Sequence, residues 1–227
     1  MGEITWLGHA AFMLEIRERV FLFDPWIRGN PSTPLTGLAD IKKADFVFVT
    51  HDHRDHGLSD GLEICENLSA TLVCTVELAK IAAGRSIKVV SGNLGGQIKI
   101  DDIEILFTPA IHVSPVLPCG FVLIVGELAI YHAGDTAFFS DMEYITRQHP
   151  LDWAFLPIGS TYTMGPVEAS WAVEKLEPRK VIPCHYNTFD SIKQDPKAFD
   201  KLVEGPTEVI VISPGESVAV DESDTRY

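Results

Sequence analysis

Four side chains able to hold a metal ion fall within six consecutive residues: His51, His53, Asp55 and His56, in the stretch Thr50-His51-Asp52-His53-Arg54-Asp55-His56-Gly57. The stretch follows the apolar run Ala44-Asp45-Phe46-Val47-Phe48-Val49, so a buried strand ends where the ligands begin. In a chain with 8 His among 227 residues, an H-x-H-x-D-H pattern arises by chance on the order of once in a thousand sequences. In extended chain His51 and His53 leave the same side and can meet one cation. Asp55 and His56 come after the chain has turned and aim elsewhere. The spacing therefore predicts two neighbouring metals, one fed by each pair.

Two metals need a bridging anion and further imidazoles, and other strand ends offer them at His112, Asp135 and His185. Asp135 follows Gly134, which allows close backbone approach, and a short carboxylate can bridge two cations roughly 3.5 to 4 Å apart. His112 would complete the site of His51 and His53, and His185 that of Asp55 and His56. Two divalent ions with Asp55, Asp135 and a bridging hydroxide leave a residual positive charge, suited to an anionic or carbonyl-bearing small molecule. Water bound there would have a pKa of about 7, giving a nucleophile at neutral pH.

The elements that must position these ligands are short strands and covering helices. Residues 3–7, 12–16 and 20–24 read as an antiparallel meander, and the third strand runs into Asp24-Pro25-Trp26. Residues 27–40, broken by Gly29, Pro31, Pro34 and Gly37, form a loop long enough to cover something. Helical spacing follows at 58–68, with Ser59 and Asp60 as candidate caps, then a strand at 71–74 and a helix at 76–83 ended by Gly84. Strands are expected at 87–90, 97–100 and 103–107, with Asp101-Asp102 as a hairpin turn. A second hairpin, 121–125 with 128–131, leads to Asp135. An amphipathic helix over 138–149, a strand at 153–156, a helix at 166–176 and a strand at 180–184 come next. A helix at 195–203 and strands at 207–212 and 217–220 complete the chain. Phe21 to Asp24 and then 44–49 echo Ile130 to Asp135 and then 151–156, which suggests two similar β-rich halves packed sheet on sheet as a four-layer αββα sandwich.

Composition narrows the class. With 227 residues and 46% hydrophobic content the chain can bury a full core, and a single domain over 1–227 is expected. A formal net charge of −14 and a pI near 4.9 disfavour nucleic acid and anionic membrane surfaces as partners. The first residues carry no basic and apolar leader and no stretch approaches ~20 apolar residues, which predicts a cytoplasmic protein. Cys65, Cys74, Cys119 and Cys184 form no CxxC pair and are expected as reduced core thiols. Cys184 adjoins His185, but neighbouring strand residues face opposite ways.

The His-rich turn, His112, Gly134-Asp135-Thr136 and His185 resemble the metallo-β-lactamase superfamily. Leu7-Gly8-His9-Ala10, Thr108-Pro109-Ala110-Ile111-His112, Thr163-Met164-Gly165-Pro166 and His185-Tyr186-Asn187-Thr188-Phe189 resemble its branch of small metal-dependent hydrolases. That branch is related to ascorbate-6-phosphate lactonases and N-acylphosphatidylethanolamine phospholipase D. The resemblance implies a metallo-β-lactamase-like αββα sandwich with a binuclear site. His51, His53, His112 and Asp135 would hold one metal, and Asp55, His56, Asp135 and His185 the other. Zn is the first expectation, with Mn, Fe and Ni also compatible with mixed imidazole and carboxylate ligands.

The resemblance also places His9 near the metals, either as a substrate contact and proton donor or as a buried structural residue. Asp24 is read as an acceptor orienting a metal-bound imidazole, and Tyr186 and Thr188 as candidate hydrogen-bond donors to a substrate oxyanion. Trp26, Phe138, Phe139, Tyr162 and Met164 either line the cleft or simply pack. His132 is assigned to the core or to an interface, His149 to a helix end, and Asp52 and Arg54 to solvent or to fixing the loop. The expected function is a metal-dependent hydrolase in which a metal-bridging hydroxide attacks an ester, lactone or phosphoester, with Asp55, Asp135 and His9 as catalytic residues. The alternative is a metal-binding or sensing protein with the same fold and little turnover. β-Lactamase activity is not expected without an export signal.

Overall fold

The computed structural model describes residues 2–147 and 149–220, and the chain forms two compact units. The first comprises, of the described residues, 2–93, Val113–Pro118 and 212–220. Its strands β1 (Gly2–Gly8), β2 (Ala11–Ile16) and β3 (Arg19–Phe23) make the expected meander. From β3 the direction changes. β4 (Phe46–Phe48), β5 (Thr71–Thr75) and β6 (Lys88–Gly92) all add in parallel, while the strand Ser217–Val220 closes the other edge against β1. Central parallel strands are covered on both faces and therefore read as unbroken apolar runs, as β4 does.

Helix α1 (Leu58–Leu68) connects β4 to β5 and lays Leu62, Ile64 and Cys65 into a core that includes Leu22, Val47, Val49 and Leu72. Gly61 sits where a Cβ would press on Val47, so α1 lies close against β4. The short α2 (Val76–Ile81) follows β5.

The second unit comprises, of the described residues, Leu94–His112 and those of 119–211. Strands β7 (Gln97–Ile100), β8 (Ile103–Pro109), β9 (Cys119–Val125) and β10 (Leu128–His132) are antiparallel. β11 (Trp153–Pro157), β12 (Lys180–Cys184) and β13 (Glu208–Val209) continue in parallel. Helix α3 (Pro166–Leu176) joins β11 to β12, with proline in its first turn and Glu168 accepting from the Gly165 amide at 3.1 Å. Its buried residues, Ala169, Ala172, Val173 and Leu176, recur at the helical interval. Helix α4 (Pro196–Asp200) is capped by the Asp195 carboxylate.

The internal echo is thus a repeated topology: β3 leads to the parallel β4 with Phe21 opposite Phe46, and β10 leads to the parallel β11 with Ile130 opposite Trp153. Several sequence expectations need correction. The helix over 138–149 is a 3-10 segment, Ser140–Tyr144, with residue 148 outside the described residues. Its buried Met142 and the Ile145 that caps it are spaced by three, an interval that α-helical and 3-10 turns share. The helix at 195–203 is α4 alone, and the strand at 207–212 is β13 alone. Asp60 does not cap α1. Its carboxylate instead accepts from the backbone of Ile27 and Arg28 and from Arg28 Nε, at 2.7–2.8 Å.

Candidate functional site

Each unit carries its own set of ligand-type side chains just past the carboxyl ends of its strands. In the first unit the chain leaves β4, passes Thr50 and His51, and tightens into a 3-10 turn, Arg54–His56, that ends at Gly57 in the left-handed region. His51, His56, Asp24 and His9 are all buried. Asp24 just beyond β3 has a φ of 41°, a left-handed position that aspartate tolerates better than most residues.

One Asp24 oxygen accepts from the Thr50 amide at 2.8 Å, and the other from Thr50 Oγ1 at 2.8 Å and from His56 Nδ1 at 2.8 Å. The last contact commits His56 Nδ1 as the protonated nitrogen and leaves the lone pair on Nε2, the arrangement in which metal-binding histidines are normally held. His51 Nε2 and His53 Nδ1 are 2.9 Å apart. His9 Nε2 lies 3.2 Å from an Asp55 oxygen, with its ring edge-on to Trp26. Asp52 points away from this group and accepts from Ser114 Oγ at 2.8 Å, so its loop-fixing role is observed.

In the second unit His112 follows β8, Asp135 follows β10 and His185 follows β12. Asp135 is buried, and its two oxygens face different imidazoles: Oδ2 is 3.5 Å from His112 Nε2, and Oδ1 is 3.2 Å from His185 Nε2. The segment bearing His112 is pinned next to Asp135, because the Ile111 amide donates to Thr136 Oγ1 at 2.9 Å and the Ile111 carbonyl accepts from Ala137 at 2.9 Å. His185 occupies the left-handed region, and a Cβ at Gly159 would collide with the His185 carbonyl, so that glycine permits the close approach.

The donor chemistry of both sets fits divalent metal. Imidazole nitrogens and carboxylate oxygens stand 2.9 Å apart in the first unit's His51–His53 pair and 3.2–3.5 Å apart around Asp135. Ligands on a tetrahedral ion with bonds of about 2.0 Å are separated by roughly 3.3 Å.

The sequence model of the Beta-lactamase superfamily domain matches residues 3–185. The chain belongs to the metallo-β-lactamase superfamily. A UPF0173 metal-dependent hydrolase of Caldivirga maquilingensis is 47% identical, over 95% of this chain and 97% of its own. Another from Pyrobaculum islandicum is 45% identical, over 96% of this chain and 100% of its own. Among solved structures, Igni18, a metallo hydrolase from the archaeon Ignicoccus hospitalis, is similar with a TM-score of 0.90 and 36% identity. The match covers 96% of this chain and 97% of that one. The metallo-β-lactamase-like fold class expected from the sequence is the fold of these superfamily members. Among the described residues no helix is long and apolar enough to cross a membrane.

The remaining candidates divide clearly in this superfamily member. His132 is buried with its ring edge-on to Phe155, a core position as expected. Met164 and Trp26 are buried, Tyr162 is exposed, and Phe138 packs edge-on against Trp171. Burial pushes the Tyr186 phenol up to about 12, so it remains a neutral hydroxyl at physiological pH. Sequence reasoning passed over Thr50 and misassigned Asp60. Both are polar residues next to the metal motif whose partners lie about thirty positions away in the chain, a distance no local pattern reveals.

All four cysteines are free and buried, as expected. Burial raises Cys65 and Cys74 from 9.0 to about 12. These two thiols are expected to resist a disulfide reagent at pH 8 in the folded protein and to react once it is unfolded in guanidinium. Fast labelling of either in the native state would contradict their burial. The unfolded thiols ionise first as pH rises, so their contribution to stability is intact below pH 9 and declines between 9 and about 12.

Ser114→Ala removes the donor to Asp52 and is expected to lower stability by about 1 kcal/mol. Urea denaturation checks this, with an unchanged midpoint as the contrary result.

Proposed function

We propose that this protein is a binuclear metal-dependent hydrolase acting on an ester, lactone or phosphoester. His51, His53, His112 and Asp135 would hold one ion, and Asp55, His56, Asp135 and His185 the other. The observation that carries the reading is Asp135, a buried carboxylate whose two oxygens face two different imidazoles, an arrangement suited to a bridging ligand. The high identity to metal-dependent hydrolases along the whole chain supports the reaction class.

Bound there, a pair of divalent ions, Zn in the first instance, would supply a water acidic enough to lose its proton near neutral pH and Lewis acidity toward the substrate oxygen. The chain's own residues do the positioning. Asp24 holds the His56 ring, and Asp135 spaces the His112 and His185 rings. His9 steadies the Asp55 carboxylate and stands where it could carry a proton to or from it. Tyr186, kept protonated by burial, and Thr188 are the candidate donors to a developing oxyanion. The substrate is a small molecule, and the acidic surface makes nucleic acid or an anionic membrane an unfavourable partner.

A substrate panel tests the proposal: a carboxylic lactone, a p-nitrophenyl ester and bis(p-nitrophenyl) phosphate, each with chelator-stripped and metal-restored protein. Turnover of at least one, lost on stripping and regained with Zn or Mn, is the expected result. A fully loaded protein that turns over none of them would favour the metal-binding or sensing alternative.

A further inference from the structure

The contact between Asp24 and His56 explains how one ligand ring of the first unit is held. How the neighbouring ring of His51 is held is a separate question. Thr50 supplies the link. It is fully buried, and its Oγ1 stands 2.8 Å from Asp24 Oδ2 and 3.0 Å from His51 Nδ1. The roles at these contacts follow from valence. A carboxylate has lone pairs and no proton to give, so the Thr50 hydroxyl donates to Asp24. Its one hydrogen is then committed, and toward His51 the same oxygen can only accept. His51 Nδ1 must therefore carry the ring proton, which leaves the lone pair on Nε2, the atom that lies 2.9 Å from His53 Nδ1. The backbone fixes the device, because the Thr50 amide donates to the other Asp24 oxygen at 2.8 Å. A 3.3 Å contact between Thr50 Oγ1 and His56 Nδ1 is the longer arm of the proton that His56 gives to Asp24.

We infer that Thr50 is a positioning residue that passes the orienting effect of Asp24 on to His51. One buried carboxylate then sets the ligand tautomer of two rings, that of His56 directly and that of His51 through the threonine hydroxyl. On the binuclear reading proposed above, on which this inference rests, these rings belong to different ions. Asp24 therefore orients ligands of both, whereas Thr50 acts chiefly on the His51 ion, because His56 keeps the nearer Asp24 acceptor at 2.8 Å. The asymmetry separates this role from a general structural one. Val at position 50 keeps the β-branched shape and loses only the hydroxyl, while Ser keeps the hydroxyl and loses a methyl.

The test is a metal titration of the chelator-stripped full chain with Zn2+, read by calorimetry, for wild type, Thr50→Val, Thr50→Ser and Asp24→Asn, with apo melting temperatures alongside. Loss of a partner that orients a metal-bound imidazole typically weakens metal binding about 10- to 100-fold. Thr50→Val is expected to weaken one of two binding steps by that factor, the step that His51→Ala abolishes, and to leave the other step unchanged. Thr50→Ser should bind within about threefold of wild type, and Asp24→Asn should weaken both steps. Two unchanged steps in Thr50→Val, or both weakened in proportion to a lowered apo melting temperature, overturns the inference.

A nitrogen-15 spectrum of the wild-type apo protein decides the point even if Thr50→Val does not fold. The proton of His51 is expected on Nδ1, and its appearance on Nε2 overturns the inference. A wild type that binds a single ion defeats the binuclear reading by itself. The Thr50 assignment is then decided by whether Thr50→Val weakens that ion as His51→Ala does.

Discussion

Asp135→Ala is expected to lose bound metal and hydrolytic activity together, with kcat/KM falling by about 1000-fold or more. The two oxygens of Asp135 face different imidazoles, at 3.5 Å and 3.2 Å, and alanine leaves nothing at that position to bridge two ions as proposed. Metal-assisted charge stabilisation contributes several kcal/mol to such reactions, and each ~1.4 kcal/mol is a factor of ten in rate. The fold should survive, because the local backbone is held by groups other than the Asp135 side chain. Ile111 is clamped by Thr136 and Ala137, and the Met164 amide donates to the Thr136 carbonyl at 3.1 Å. Elemental analysis, steady-state kinetics and thermal melting on the same preparation check all three statements. A metal-loaded variant of near wild-type activity would overturn the mechanism.

Gly57→Ala is expected to cause the largest loss of stability among single methyl additions near the ligand turn. Gly57 has a φ of 68°, and a Cβ there would fall onto the Pro25 carbonyl group and the Trp26 amide nitrogen. Those are backbone atoms in the segment between Asp24 and Asp60, which Asp60 fixes through the amides of Ile27 and Arg28. They cannot swing aside as a flexible side chain would. Left-handed backbone in a residue other than glycine costs of order 1–3 kcal/mol, and forced overpacking a similar amount. A combined loss of about 3 kcal/mol, or roughly 10 °C in a domain of this size, should be seen by thermal denaturation. Gly84→Ala is the control: its φ is also positive, at 91°, but nothing lies within 4 Å of an added Cβ. It should cost only the backbone part. A Gly57→Ala protein melting within about 2 °C of wild type would show that Pro25 and Trp26 yield.

The strands were legible because apolar runs and glycine-rich turns are local features. The hairpins at Asp101 and at Gly126-Glu127 were expected where they occur, with Asp101 at a φ of 54°. Helix α3 was legible for the same reason, since Pro166 and the apolar interval that follows lie in one short window. The segment after Phe138 was not. Its few apolar residues satisfy helical and 3-10 spacing alike over so short a stretch, so spacing alone does not choose between them.

The ligand types at the candidate site were readable in the His-rich turn, because two-residue spacing in extended chain has a direct geometric meaning. The support beneath them was only partly readable. Asp24 was identified as the acceptor for an imidazole, and its contact with His56 Nδ1 bears this out. Thr50 and Asp60 were missed because their hydrogen bonds join residues 26 to 33 positions apart, and such pairings exist only once the parallel strands have brought β3 beside β4.

The most direct test of the central claim is metal content per chain, by elemental analysis of protein purified without chelator and compared with Asp135→Ala. About two metal ions per wild-type chain, with fewer in the variant, is the result the binuclear account predicts. Zero or one in the wild type, not raised by adding Zn or Mn, would contradict it.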